Sequence, residues 1–140
     1  MILSTYVAVF KWPFSALYKR VNKSSPHSGK PIEVNTEAAL KQAIDAGGIV
    51  MVDFSAQWCG PCLLMEPAID AVAQIYKGKI RVVKADVSLN TALAQAYGVR
   101  GFPTIMMFND AKELSRKSAA MTQRQLTTLV NDTIHAASIV

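Results

Sequence analysis

Ile49-Val50-Met51-Val52-Asp53-Phe54 is apolar at every position but one. Successive side chains of a strand point to opposite faces of its sheet. An apolar run without alternation therefore needs cover on both faces. The flanking sequence supplies that cover. Thr36 is placed to cap a helix in which Leu40, Ala43 and Ile44 share a face, and Gly47-Gly48 ends it. After Cys59 a second helix is predicted, with Met65, Ile69, Val72 and Tyr76 on one stripe and an expected kink at Pro67. Pro31 to Val34 and Ile80 to Val87 read as further strands, and Thr91 to Tyr97 as a short helix closed by Gly98. Thr104 to Phe108 reads as a strand that turns at Asn109-Asp110 into another near Leu114. Thr122 and Gln125 form a capping box for a last helix, whose buried stripe is Leu126, Leu129, Val130 and Ile134. The expected class is α/β, a central mixed sheet flanked by helices on both faces. Met51, Met65, Met106 and Met107 are expected as core filler.

The chain has two cysteines, Cys59 and Cys62, placed where the central strand gives way to a helix. Two cysteines do not make a disulfide scaffold or a four-cysteine zinc site. His27 and His135 stand far from the pair, without metal-ligand spacing. Residues three apart in a first helical turn are ~5–6 Å apart at Cβ before local adjustment, which lets their Cα atoms fall within disulfide reach. A helix start favours a thiolate over a thiol. Cys59 is thus expected as the exposed nucleophile and Cys62 as the more buried second thiol. Pro61 suits a first turn because its missing N–H is not needed there. The thiolate of Cys59 attacks a substrate disulfide; Cys62 then attacks Cys59 and releases the reduced substrate. Cys62 needs a base for that step. Asp53 is the only acid of the Ile49–Phe54 run. It is either a buried carboxyl with a raised pKa or a strand-end acid facing solvent.

Trp58-Cys59-Gly60-Pro61-Cys62, following Val52-Asp53-Phe54 and followed by Pro67, resembles the active-site motif of the thioredoxin family. Tyr97-Gly98-Val99-Arg100-Gly101-Phe102-Pro103-Thr104 is similar to that family's segment bearing a cis-proline. The resemblance spans about residues 31–137. It implies a thioredoxin fold, with Cys59 attacking and Cys62 resolving. It implies that Asp53 is the buried acid–base group and that Lys84 tunes its charge. Trp58, Gly60, Pro61, Phe102 and Pro103 would face the substrate, and Gly60-Pro61 resembles the reducing members. Disulfide-bearing protein substrates, a thioredoxin-reductase-like electron donor, a monomer, a cytoplasmic setting and no cofactor beyond the Cys59–Cys62 disulfide are implied as well. Four positions depart from the pattern: Ser55, where many members carry an aromatic residue; Leu63, where lysine is common; and Ala111 and Ala119, where glycine is usual. A dedicated oxidase or isomerase, and a binding module of the same fold, are the competing functions.

The formal charge of +5 does not signal nucleic acid. Lys11, Lys19, Arg20, Lys23 and Lys30 fall within the first 30 positions, where there is no acid; the later basic and acidic residues balance. Residues 1–29 read as an N-terminal extension and 30–140 as the domain. The extension has an apolar start interrupted by Lys11 and Pro13, then a Ser-rich linker. It is compatible with a membrane-surface anchor through residues 1–20, an organelle-targeting segment, or a disordered tail.

Overall fold

The computed structural model describes residues 29–139. The domain boundary and the membrane or targeting calls on the extension fall on or beside residues outside that range. Among the described residues, no helix is long and apolar enough to cross a membrane.

Five strands and four helices follow one another as β1 (Ile32–Val34), α1 (Glu37–Asp45), β2 (Ile49–Ser55), α2 (Gly60–Ile75), β3 (Ile80–Asp86), α3 (Thr91–Ala96), β4 (Thr104–Asn109), β5 (Lys112–Lys117) and α4 (Gln123–Ser138). The sheet order is β1-β3-β2-β4-β5. β3 pairs parallel with both β1 and β2, whereas β4 runs antiparallel to β2 and to β5. The apolar run is therefore the middle strand of a mixed sheet, as its lack of alternation requires.

Each face of β2 feeds its own core. Val50, Val52 and Phe54 pack with Leu40 and Ile44 of α1, Leu93 of α3, and both cysteines. Met51 packs on the other face with Met65, Ile69 and Val72 of α2 and Leu126 and Val130 of α4. All four methionines expected in the core are buried. Thr36 caps α1 through Ala39 N–H, and the Thr122–Gln125 capping box opens α4. Helix α2 runs on through Pro67, and α3 is one residue shorter than the sequence pattern suggests.

The β4–β5 hairpin turns on Asp110 and Ala111, at φ of 47° and 68°. Two consecutive left-handed residues match the turn that suits a two-residue hairpin, which favours Asp-Gly. Asp110 is held there by its own bonds: its carboxylate accepts from Gly48 N–H, and its N–H donates to Gly48 O. Ala111 has a Cβ to accommodate in a conformation that disfavours one. Ala111→Gly is expected to raise stability by about 1 kcal/mol. The check is a higher urea midpoint at unchanged slope.

Candidate active site

The site lies where β2 ends and α2 begins. The loop between them is fixed from both sides. Val87 N–H donates to Ser55 O at 3.0 Å, and Gln57 N–H donates to Ser88 Oγ at 2.8 Å. Ser88 is held in turn by Asp86, whose carboxylate accepts from Ser88 N–H at 2.8 Å. Cys59 N–H donates to Ala56 O, which delivers the cysteine to the helix start.

Cys59 is the N-cap of α2, in extended conformation at φ −96° and ψ 104°. Its Sγ accepts a hydrogen bond from Cys62 N–H at 3.3 Å. The sulfur thus takes the place usually filled by a Ser or Asp oxygen, receiving one of the helix's unpaired donors. Cys59 and Cys62 form a disulfide with a Cα–Cα separation of 5.3 Å. The expectation of an exposed Cys59 needs correction. In the disulfide it is 6% exposed against 2% for Cys62, and both sulfur-bearing residues pack with the apolar cluster under the helix start. The order of access is as expected, but Cys59 is itself recessed. Gly60 and Pro61 are exposed in the first turn.

Asp53 is 1% exposed, which decides between its two sequence readings. One of its carboxyl oxygens, Oδ1, has no hydrogen-bond partner among the described residues. Burial without partners disfavours the charged form. Its pKa is pushed up to about 7, first by desolvation; Lys84 acts to lower it and Glu66 to raise it. Lys84 lies directly across from Asp53 in the β2–β3 register. Its ammonium, however, forms an ion pair with Glu66 at 3.7 Å. Glu66 was missed in the sequence, although helical spacing could have found it: it sits four residues past Cys62, one turn along the same helix face. Its carboxylate shares Lys84 and weakens the relief that Lys84 gives Asp53.

The second motif meets the first through aromatic contact. Trp58 is 65% exposed, and its ring meets Phe102 edge-on at a centroid distance of 5.5 Å. The Phe102–Pro103 peptide is cis, as the resemblance implies, and Pro103 is buried. Thr104, which opens β4, donates its hydroxyl to Gly101 O at 2.7 Å and so ties the loop to the strand. Leu63 and Leu64, in the first turns of α2, are exposed, and Leu63 puts an apolar side chain where lysine is common. Arg100 and His135 are exposed.

The thioredoxin family model matches residues 31–132. The chain belongs to the thioredoxin family. It is 39% identical over 100 residues to thioredoxin of Pseudomonas aeruginosa, covering 71% of this chain and 93% of that one. It is also 39% identical over 92 residues to thioredoxin 1 of a Nostoc species, covering 65% and 86%. Among solved structures, a mutant thioredoxin of Halobacterium salinarum superposes with a TM-score of 0.70 at 33% identity, covering 81% of this chain and 96% of that one. Family and cysteine pair together make this thioredoxin-family chain a protein thiol–disulfide oxidoreductase. Its substrates are disulfide-bearing proteins and its electrons come from a reductase, in the general sense the family implies.

Proposed function

We propose that this thioredoxin-family protein works as a disulfide reductase with roles divided as follows. Cys59 attacks the substrate disulfide and Cys62 resolves the mixed disulfide. The observation that carries this division is the cap: the Cys59 sulfur already receives a helix-start N–H, and a thiolate would receive it more strongly. Cys62, one turn deeper and less exposed, has no such placement. Asp53 takes the Cys62 proton, with Lys84 limiting how far burial raises its pKa. Trp58, Gly60 and Pro61 border the attacking sulfur, and Phe102-Pro103 offers an edge to an extended substrate segment. Exposed apolar side chains at Trp58, Leu63 and Leu64 near the cysteines support protein rather than ionic partners.

In this assignment residues 30–140 are the catalytic domain and residues 1–29 an extension. The protein acts as a monomer, uses no cofactor beyond its disulfide, draws on a thioredoxin-reductase-like donor, and works in a reducing compartment, the cytoplasm. The test is insulin reduction with dithiothreitol as electron source. The parent protein is expected to accelerate insulin precipitation and Cys59→Ser to leave it at the uncatalysed rate. Equal rates for the two proteins would remove the reductase assignment.

A further inference from the structure

The Cys59–Cys62 pair is approached from a second direction. A cavity of about 160 Å³ lies beside the helix start and includes Cys62 and Ser55 in its wall. Among the described residues, its wall includes neither Cys59 nor any of Trp58, Phe102 and Pro103. It reaches the surface at Gln57 and Leu63, which are exposed. Its size is far above the ~10–15 Å³ a single water requires. Ser55 is the reason there is room: an aromatic side chain at this position, which many family members carry, would project into the same space.

The wall is also charged. Glu33, Glu66 and Asp86 contribute carboxylates, and Lys84 contributes the one ammonium, already engaged by Glu66. A cleft with an excess of one sign concentrates small ions of the other. We propose that this cavity is a second substrate entrance, through which small cationic disulfides of the aminothiol class reach Cys62 directly. The proposal rests on the dithiol chemistry above and adds a substrate class to it. Reduced Cys62, deprotonated, attacks one sulfur of the small disulfide RSSR. The S–S bond of RSSR breaks, one thiolate leaves and takes up a proton, and Cys62 carries the other half as a mixed disulfide. Cys59 thiolate then attacks Cys62 Sγ, closing the Cys59–Cys62 bond and releasing the second thiolate, which is protonated in turn. The dithiol is oxidised and RSSR becomes two RSH. The cysteines thus exchange roles according to the side from which the substrate arrives. A protein disulfide, too large for the cavity, meets Cys59 alone.

The test uses full-length reduced Cys59→Ser protein, in which a mixed disulfide at Cys62 cannot be resolved internally. It is exposed to cystamine, 2-hydroxyethyl disulfide and 3,3′-dithiodipropionate, which carry positive, zero and negative charge. Adduct formation at Cys62 is followed by mass spectrometry and scaled to each probe's rate with a free peptide thiol. Cystamine is expected to react at least about tenfold faster than dithiodipropionate, with the neutral probe between. Adding Ser55→Trp to fill the cavity is expected to slow cystamine about tenfold, and adding Glu66→Gln to narrow the preference for cations. The proposal stands if the cation preference is found and at least one of the two additions has its expected effect, the slower cystamine reaction or the narrower preference. Equal scaled rates, no adduct with any probe, or a cystamine rate and a preference both untouched by the additions overturns it. Insulin turnover by the parent separates the failures: turnover with an inert Cys62 sinks the second entrance alone, whereas a reactive Cys62 without turnover sinks the reductase assignment alone.

Discussion

Reduced Cys62→Ser protein, mixed with a disulfide-bonded protein substrate, is expected to accumulate a covalent complex through Cys59 that persists until an external thiol is added. Catalytic turnover falls to the dithiothreitol background. Cys59→Ser, given the same protein substrate, is expected to accumulate no such complex. The asymmetry follows from the positions of the two sulfurs. Cys59 is the helix cap and Cys62 lies further inside and is less exposed, so only the first is expected to meet a macromolecule. Once the mixed disulfide forms, its resolution depends on a second sulfur within bonding reach, and the backbone already holds the two Cα atoms 5.3 Å apart. Serine leaves that geometry intact and removes the only nucleophile positioned to use it. Non-reducing electrophoresis reads the complex directly. Equal trapping by both single-serine proteins would remove the assigned order of attack.

Asp53→Ala is expected to stabilise the protein at pH 8 and to slow it as a catalyst. In the unfolded chain Asp53 ionises near the ordinary carboxylate value of about 3.9. In the folded protein its pKa is pushed up to about 7 by burial. Between those values the native state binds the proton that the unfolded state has lost, so stability falls as pH rises through the window. Above about 7 both states are ionised and the loss is complete. At about 1.36 kcal/mol per pKa unit the full penalty is of order 4 kcal/mol. Removing the carboxyl is therefore expected to gain about 2–4 kcal/mol at pH 8, with the gain shrinking toward pH 5. Urea unfolding of both proteins across that range checks it. Parallel stability curves for the two would remove the buried-carboxylate argument. The same substitution is expected to slow resolution of the mixed disulfide on the order of 100-fold while changing its formation little, since a positioned base acts only where Cys62 must lose a proton. Stopped-flow kinetics under single-turnover conditions separates the steps.

Much of this was legible in the residue pattern because it follows from local rules. The almost unbroken Ile49–Phe54 run reads as a strand covered twice, and it is the sheet's middle strand. The Thr122–Gln125 capping box fixed the last helix to the residue. The cysteine pair pointed to the chemistry through its place at a strand-to-helix junction and, more strongly, through the Trp58–Cys62 motif and its family resemblance. What was not legible depends on distance across the sheet or on solvent. Burial of Asp53 hinges on α2 lying over that face of β2, which periodicity cannot say of a single acid. Glu66 was hidden because its importance lies in competing for Lys84, a residue on another strand. The recessed position of Cys59 depends on the apolar cluster beneath the helix start, assembled from α1, α3 and β2. The cavity at Ser55 is a missing volume, and volumes emerge only when all their walls are placed.

The Cys59 sulfur, the atom assigned to bond with substrate, also caps the start of a helix. While it is bonded to Cys62 its lone pairs are those of a neutral thioether-like acceptor; once reduced and ionised, the same N–H meets a full negative charge and is bound more tightly. Opening the covalent link therefore strengthens the polar one, so that the first turn of α2 trades a bond for a charge instead of fraying. The start of this helix is thus expected to keep its shape in both electron-carrying states, so that the partner that takes electrons and the partner that supplies them would grip the same surface.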